Sequence, residues 1–188
     1  MCGRFQFTCE NNPKLAEKIC QLKQNYPQYS ISTGEIFPTN SALVALEQQG
    51  KIVIGIQYWG FPHFKKSNVI INARAETITQ KKLFQDSFLH RRCAILSSGF
   101  YEWDTQKQKY FFHDSDHSYV YLGGIYQTFG QIDKFVILTT LANQSISDIH
   151  HRMPVLIPRK QLISWLTDTD QAMQMIQNKQ PLLQRQVV

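Results

Sequence analysis

The first five residues, Met1-Cys2-Gly3-Arg4-Phe5, carry the most distinctive chemistry in this sequence. Cysteine at position 2 is small enough that Met1 is normally removed, leaving an α-amine and a thiol on one residue. An α-amine has a pKa of about 7.7, against about 10.4 for lysine. Near pH 7 roughly a sixth of it is neutral, compared with about one lysine in two to three thousand. Neutral amine adds to an aldehyde to give a Schiff base. The neighbouring thiol can then close on the same carbon as a five-membered thiazolidine, a step no lysine adduct has. Gly3 suits this use because it lets a ligand approach the backbone closely. Met-Cys-Gly alone leaves a second reading equally open, in which Cys2 is a small apolar residue opening a strand.

Three further segments set polar residues among apolar ones: Asn72-Ala73-Arg74-Ala75-Glu76, Gly99 to Trp103, and His150-His151-Arg152-Met153-Pro154. Each has a plainer reading. Glu102 between aromatics suits a strand-edge carboxylate paired with an arginine, Asn72 suits a turn cap, and His150 a capping or surface histidine. His113 and His117 stand four apart around a turn, but no cysteine pair accompanies them, so no metal site is expected. Five of the seven arginines (Arg4, Arg74, Arg91, Arg92, Arg152) fall in or beside the segments of interest, whereas the lysines are scattered.

The elements that must position these groups follow from the periodicity. A strand is expected over residues 3–8, then a helix capped by Asn12-Pro13, burying Leu15, Ile19 and Leu22 and ending before Pro27. Residues 29–40 are irregular. Alternating runs at 41–47 and 51–58 around Gln48-Gln49-Gly50 predict a hairpin. A loop with Lys65 and Lys66 leads to a strand at 69–71, and a helix over 79–89 buries Leu83, Phe84 and Phe88. Strands are expected at 93–96, 99–103, 109–113, 118–126, 134–140 and 153–157, with a helical turn at 143–149. A helix after Pro158 carries Leu162, Ile163 and Leu166, and a last helix runs from Asp170 to before Pro181. Trp59 and Trp165 are expected in the core. The pattern is that of an α+β fold, one domain over residues 1–188, with a curved, mainly antiparallel, barrel-like sheet flanked by helices.

Composition sets the outer limits. The chain has 188 residues, 43% hydrophobic and 18% charged, enough to bury a core as one domain. No apolar run approaches the ~20 residues of a membrane span, and no apolar signal core opens the chain. Cys2, Cys9, Cys20 and Cys93 fit neither a disulfide framework nor a zinc site, which points to a reducing cytoplasm. A net charge of +6 suits a polyanionic partner.

Taken together, residues 1–5, 72–77, 91–93, 99–103 and 150–154 resemble, in order, the motifs of the SRAP (SOS response-associated peptidase) family of abasic-site processing proteins. The family pattern is Met-Cys-Gly-Arg-Phe, Asn-Ala-Arg-Ala-Glu-Thr, Arg-Arg-Cys, Gly-Phe-Tyr-Glu-Trp and His-x-Arg-Met-Pro. The resemblance implies a monomeric sensor of abasic sites in single-stranded DNA that traps the ring-opened aldehyde on Cys2 and shields the lesion during the DNA damage response. It implies no cofactor, a cytoplasmic setting at a bacterial nucleoid, and accompanying lyase activity or self-removal of Met1. At matching positions, Glu102 is the acid/base carboxylate, His150 assists sugar ring opening and Asn72 holds the reacting groups. Arg4, Arg74 and Arg152 match phosphate contacts, and Trp103 and Thr139 match positions lining the DNA groove. His150 is preferred to His151 because it holds the first place of His-x-Arg-Met-Pro. The family's Tyr-Asn-Ile-Ala-Pro is matched to Tyr29-Ser30-Ile31-Ser32-Thr33, with its asparagine and proline lost. Trp59-Gly60-Phe61-Pro62 is also shorter than the usual Trp-Gly-Leu-Ile-Pro.

The chemistry gives these roles an independent basis. Imine formation needs a proton on the leaving hydroxyl, and hemiacetal opening needs one on the ring oxygen; a carboxylate and an imidazole can share the two. Arginine forks hold phosphates without reading sequence, as suits a lesion that has no base. Three rivals remain. An N-terminal-nucleophile glutamine amidotransferase also begins Met-Cys-Gly, but its oxyanion hole typically uses an Asn-Gly pair that this chain lacks. A thiol peptidase would cut peptide bonds, including Met1-Cys2. A noncatalytic single-strand binder would need only the basic charge and aromatics.

Overall fold

The computed structural model describes residues 2–9, 13–63, 67–115 and 119–188. Met1, the expected cap Asn12, Lys65, Lys66 and His117 lie outside them. The strands in chain order are β1 (Phe5–Phe7), β2 (Gly34–Ile36), β3 (Ser41–Gln48), β4 (Lys51–Trp59), β5 (Phe61–Pro62), β6 (Val69–Ile70), β7 (Asn72–Arg74) and β8 (Arg92–Ser97). They continue as β9 (Gly99–Trp103), β10 (Lys109–His113), β11 (Val120–Phe129), β12 (Ile132–Leu141), β13 (Arg152–Pro154), β14 (Leu156–Ile157) and β15 (Gln184–Val187). The helices are α1 (Pro13–Asn25), α2 (Lys82–His90), α3 (Leu162–Thr167) and α4 (Thr169–Gln177).

The α+β expectation holds, and the curvature goes as far as closure. Strands β12, β4, β3, β8 and β11 pair in that order, and β11 pairs back onto β12 to complete a ring. The ladders are antiparallel except where β12 meets β4 and β7. Closure removes the open edges that a lone sheet would expose. Ile95, Leu122, Ile125, Phe135 and Ile137 are fully buried in it. The β3–β4 hairpin turns through Gln49 and Gly50, both with positive φ, which gives a tight two-residue turn matched to strand twist. Trp59 packs against Phe5 and Phe135 and donates from Nε1 to the Ile71 carbonyl at 2.9 Å. Trp165 is likewise core and donates to the Cys93 carbonyl.

A second sheet, ordered β15-β10-β9-β1-β2, lays one face on this core. Phe5, Phe100 and Phe112 form a cross-strand row with no exposed surface. Strand alternation then decides the fate of β9's polar residues. Glu102 shares the inner face with Phe100, while Tyr101 and Trp103 point outward. Gly99, at φ +153°, leaves no space for a side chain, because a Cβ there would meet the Phe112 carbonyl oxygen at 2.4 Å.

Arg92, expected only as part of a motif, is a buried structural residue. Its guanidinium donates to the carbonyls of Phe88, Leu89 and Trp165, so it satisfies the C-terminal ends of α2 and α3. Several expectations need correction. Strand β2 lies in the stretch read as irregular, and β15 lies beyond the last element expected. Residues 143–149 do form helical turns, with the Ser147 and His150 N–H groups donating to the Asn143 and Ile146 carbonyls. The predicted strand 153–157 is interrupted at Val155, and Ile163 of the expected helix is exposed. Ile19, Leu22 and Phe88 are buried as expected, whereas Leu15, Leu83 and Phe84 are half-buried.

Candidate active site

Cys2 is fully buried just ahead of β1, where its carbonyl accepts a hydrogen bond from Asn72 Nδ2 at 3.0 Å. Asn72 is held for this by β7, which runs parallel to β12 with Asn72 opposite Ile137. Its Oδ1 is a buried acceptor without a hydrogen-bond partner among the described residues. Burial pushes the Cys2 thiol above its ordinary pKa, and the nearby Glu102 carboxylate pushes it further the same way. The sulfur is therefore a neutral thiol, donating weakly to the Arg4 carbonyl at 3.8 Å. Glu102 is itself driven up by burial, to about 7. A carboxyl group poised there can both accept and release a proton near neutrality.

His150 sits just ahead of β13, on a turn closed by its own backbone N–H to the Ile146 carbonyl. Its Nδ1 lies 3.0 Å from the Arg152 backbone nitrogen and 3.1 Å from the Arg152 carbonyl oxygen. The neutral ring accepts from that N–H, which puts its one proton on Nε2. A protonated ring can instead donate from Nδ1 to the carbonyl, so one nitrogen has a partner in either state. Burial is the largest cause of a lowered His150 pKa, and the Arg152 charge is a smaller contributor in the same direction. The His151 ring stacks on it at 4.5 Å and lowers it too.

The arginines separate into different environments. Arg152, expected at a phosphate, is buried and gripped by both Glu76 oxygens at 2.6 and 2.8 Å and by the Thr139 carbonyl at 2.6 Å. Thr139, expected to line a groove, is fully buried between Arg74 of β7 and Pro154 of β13 across β12. Arg152 and Thr139 are thus packed into the wall of the site. Arg74 is exposed, and no ion pair is seen for it among the described residues. Arg4 stacks on Phe37 at 3.6 Å and lies 5.5 Å from the Trp103 ring.

Arg4 also pairs with Glu35 at 2.7 Å, which corrects the placement of the loop bordering the site. It is Gly34-Glu35-Ile36-Phe37-Pro38, paired with β1, and not residues 29–33. This segment keeps the isoleucine and proline of Tyr-Asn-Ile-Ala-Pro at Ile36 and Pro38, with glutamate in place of the asparagine. Glu35, Phe37 and Lys109 escaped the reading of the sequence, and Glu76 was noted there only as part of a motif. Glu76 stands two residues from Arg74 in that motif; Glu35 lay in a stretch with no periodicity. Among the described residues no cluster of His, Cys, Asp or Glu could hold a metal, and no helix is long and apolar enough to cross a membrane.

Comparison with known proteins bears on the fold and the family. Crystal structures of a protein from Bacteroides thetaiotaomicron and one from Bordetella bronchiseptica share the fold, with TM-scores of 0.79 and 0.76 at 19% identity. They match all of this chain and 92% and 99% of their own. In sequence the chain is 24% identical over 176 residues to the abasic site processing protein YedK of Escherichia coli, covering 88% of this chain and 79% of YedK. It is 26% identical over 200 residues to the abasic site processing protein YoqW of Bacillus subtilis, covering 94% and 87%. The family profile described as SOS response associated peptidase (SRAP) matches residues 1–187. That span takes in Cys2, Asn72, Glu102 and His150 together, and the chain belongs to the SRAP family.

Proposed function

We propose that this protein, with Met1 removed, captures abasic sites in single-stranded DNA as a covalent thiazolidine on Cys2. Relatives named as abasic site processing proteins support the reading. The observation that carries it is the tether from Asn72 to the Cys2 carbonyl, in buried surroundings where Glu102 acts electrostatically on the thiol. The α-amine adds to C1′ of the open sugar, Glu102 delivers a proton to the hydroxyl, and water leaves to give the imine. Sulfur then bonds to the same carbon, and the thiol proton ends on nitrogen. The net change is loss of one water. Self-removal of Met1 and strand cleavage through the Schiff base belong to the same reading, as does work as a monomer in the cytoplasm, at the nucleoid. The test is intact mass after incubation with an oligonucleotide bearing one abasic site. The expected product is Met1-free protein plus oligonucleotide less one water, surviving heat; Met1-free protein that forms no adduct overturns the proposal.

His150 is assigned to sugar ring opening. His150→Ala should slow capture of a natural abasic site by ~10²-fold or more, yet be nearly normal on an acyclic aldehyde analogue. Equal slowing on both substrates would defeat this division of labour. For the backbone grip, Arg74 is the phosphate contact and Arg152 holds the wall of the site. Arg74→Ala should flatten the log–log salt dependence of single-strand binding by about 0.7, one phosphate's worth. Arg152→Ala should instead cost about 2–3 kcal/mol of stability, since it removes charge-assisted hydrogen bonds. Thermal melts and salt titrations of the two variants separate these effects.

A further inference from the structure

On the outward face of the second sheet, four neighbouring strands bring cations and rings together. Lys109 of β10 lies opposite Trp103 of β9, and Glu35 of β2 lies opposite Gln6 of β1. Tyr101 joins the same face, with its hydroxyl donating to Gln6 Oε1 at 2.9 Å. The Glu35 carboxylate spans the group: Oε2 takes Arg4 Nη1 at 2.7 Å, and Oε1 takes Lys109 Nζ. Lys109 Nζ lies 4.0 Å from the Tyr101 ring centre and 5.9 Å from that of Trp103, while Arg4 lies over Phe37. One anion thus sits between two cations, each backed by aromatic rings. The hydrogen bond from Lys109 and then that from Arg4 hold the Glu35 carboxyl below its ordinary pKa, so it stays charged.

We propose that Arg4 and Lys109 form a phosphodiester subsite in which the Glu35 carboxylate occupies the place a DNA phosphate takes. This rests on single-stranded DNA being the ligand. The two carboxylate oxygens present to the cations the same fork as the two non-bridging oxygens of a phosphodiester. The Glu35 side chain is a third exposed, so it can swing into water when a phosphate arrives. The rings of Phe37 and Trp103 beside Arg4 then offer stacking surfaces for the flanking bases, which is sequence-tolerant. Lys109 thereby becomes a DNA-binding residue, and Glu35 a competitor that lowers affinity for undamaged strands.

The test is binding of an undamaged single-stranded oligonucleotide across a salt series. Glu35→Gln keeps the shape but not the charge. It should bind roughly 3–10-fold tighter at low salt, because the phosphate no longer has to displace a charged competitor from the two cations. Adding Lys109→Ala to Glu35→Gln should erase that gain. Lys109→Glu, at a partly exposed strand position, gives an independent reading and should weaken binding about tenfold or more. Equal or weaker binding by Glu35→Gln, a gain that survives Lys109→Ala, or normal binding by Lys109→Glu would each overturn the subsite. Wild-type protein that holds no single strand at all would instead bring down the proposed function.

Discussion

Cys2→Ala should abolish the heat-stable adduct with abasic DNA, while Cys2→Ser should still give a borohydride-trappable Schiff base that decays. The expected contrast is large because the two atoms of Cys2 do different work. Alanine and serine keep the α-amine, so imine formation survives in both, provided that Met1 is removed from each. Only sulfur closes the ring, and the thiol is placed for it: buried, neutral and beside the Glu102 carboxylate that can take its proton. The raised thiol pKa means that thiolate is scarce at neutral pH, so closure depends on proton removal as sulfur attacks. A denaturing gel after heating, with and without borohydride, separates the variants. A serine adduct as durable as the cysteine one would defeat the thiazolidine argument while leaving the Schiff base intact.

What could be read from the residues was set by the range over which each constraint acts. The β3–β4 hairpin is encoded locally, by alternation and by a turn that a Gln-Gly pair makes without a third residue. The inward aim of Glu102 was also accessible, since Phe100 and Glu102 share a face once 99–103 is read as a strand. The sheet was legible as barrel-like, but not that β11 and β12 close it, because nothing within either strand names its partner. Residues Gly34–Ile36 have no alternation of their own and become a strand because β1 offers an edge. Missing that strand also misplaced the loop beside the site and hid Glu35. Arg152 shows the other limit. Motif matching marks it as important, but whether a guanidinium faces a phosphate or Glu76 depends on a carboxylate 76 residues away.

The contacts around Cys2 bear on how the proposed reactive terminus would be held in a stable fold. Asn72 fixes the backbone of Cys2 without charge, so the tether does not change with pH. The ion pairs Arg152–Glu76 and Arg4–Glu35 do not include the groups assigned to the chemistry. Glu102 is the buried carboxyl group, brought by burial to a pKa of about 7.

Glu102→Gln should accordingly slow trapping and strengthen the fold, two effects of opposite sign from one carboxyl group. Positioned acid–base groups contribute ~10²–10⁴-fold, and Glu102 serves imine formation, so the loss should appear on natural and acyclic abasic substrates alike. The stability effect follows from linkage. The carboxyl pKa rises from an ordinary 4.5 to about 7 in the folded protein because burial disfavours the anion. Between those values the native state binds more protons than the unfolded chain, so stability falls as pH rises through that window. Above pH 7 the folded protein carries the full cost of a buried charge, about 3 kcal/mol at most for a shift of that size. Glutamine keeps the volume and removes the charge. The variant should therefore be more stable than the wild type in denaturant titrations at pH 8, with the advantage shrinking towards pH 4.5. A variant that is slower but no more stable at pH 8 would mean that the carboxylate is compensated in the fold, and that its basicity has another origin.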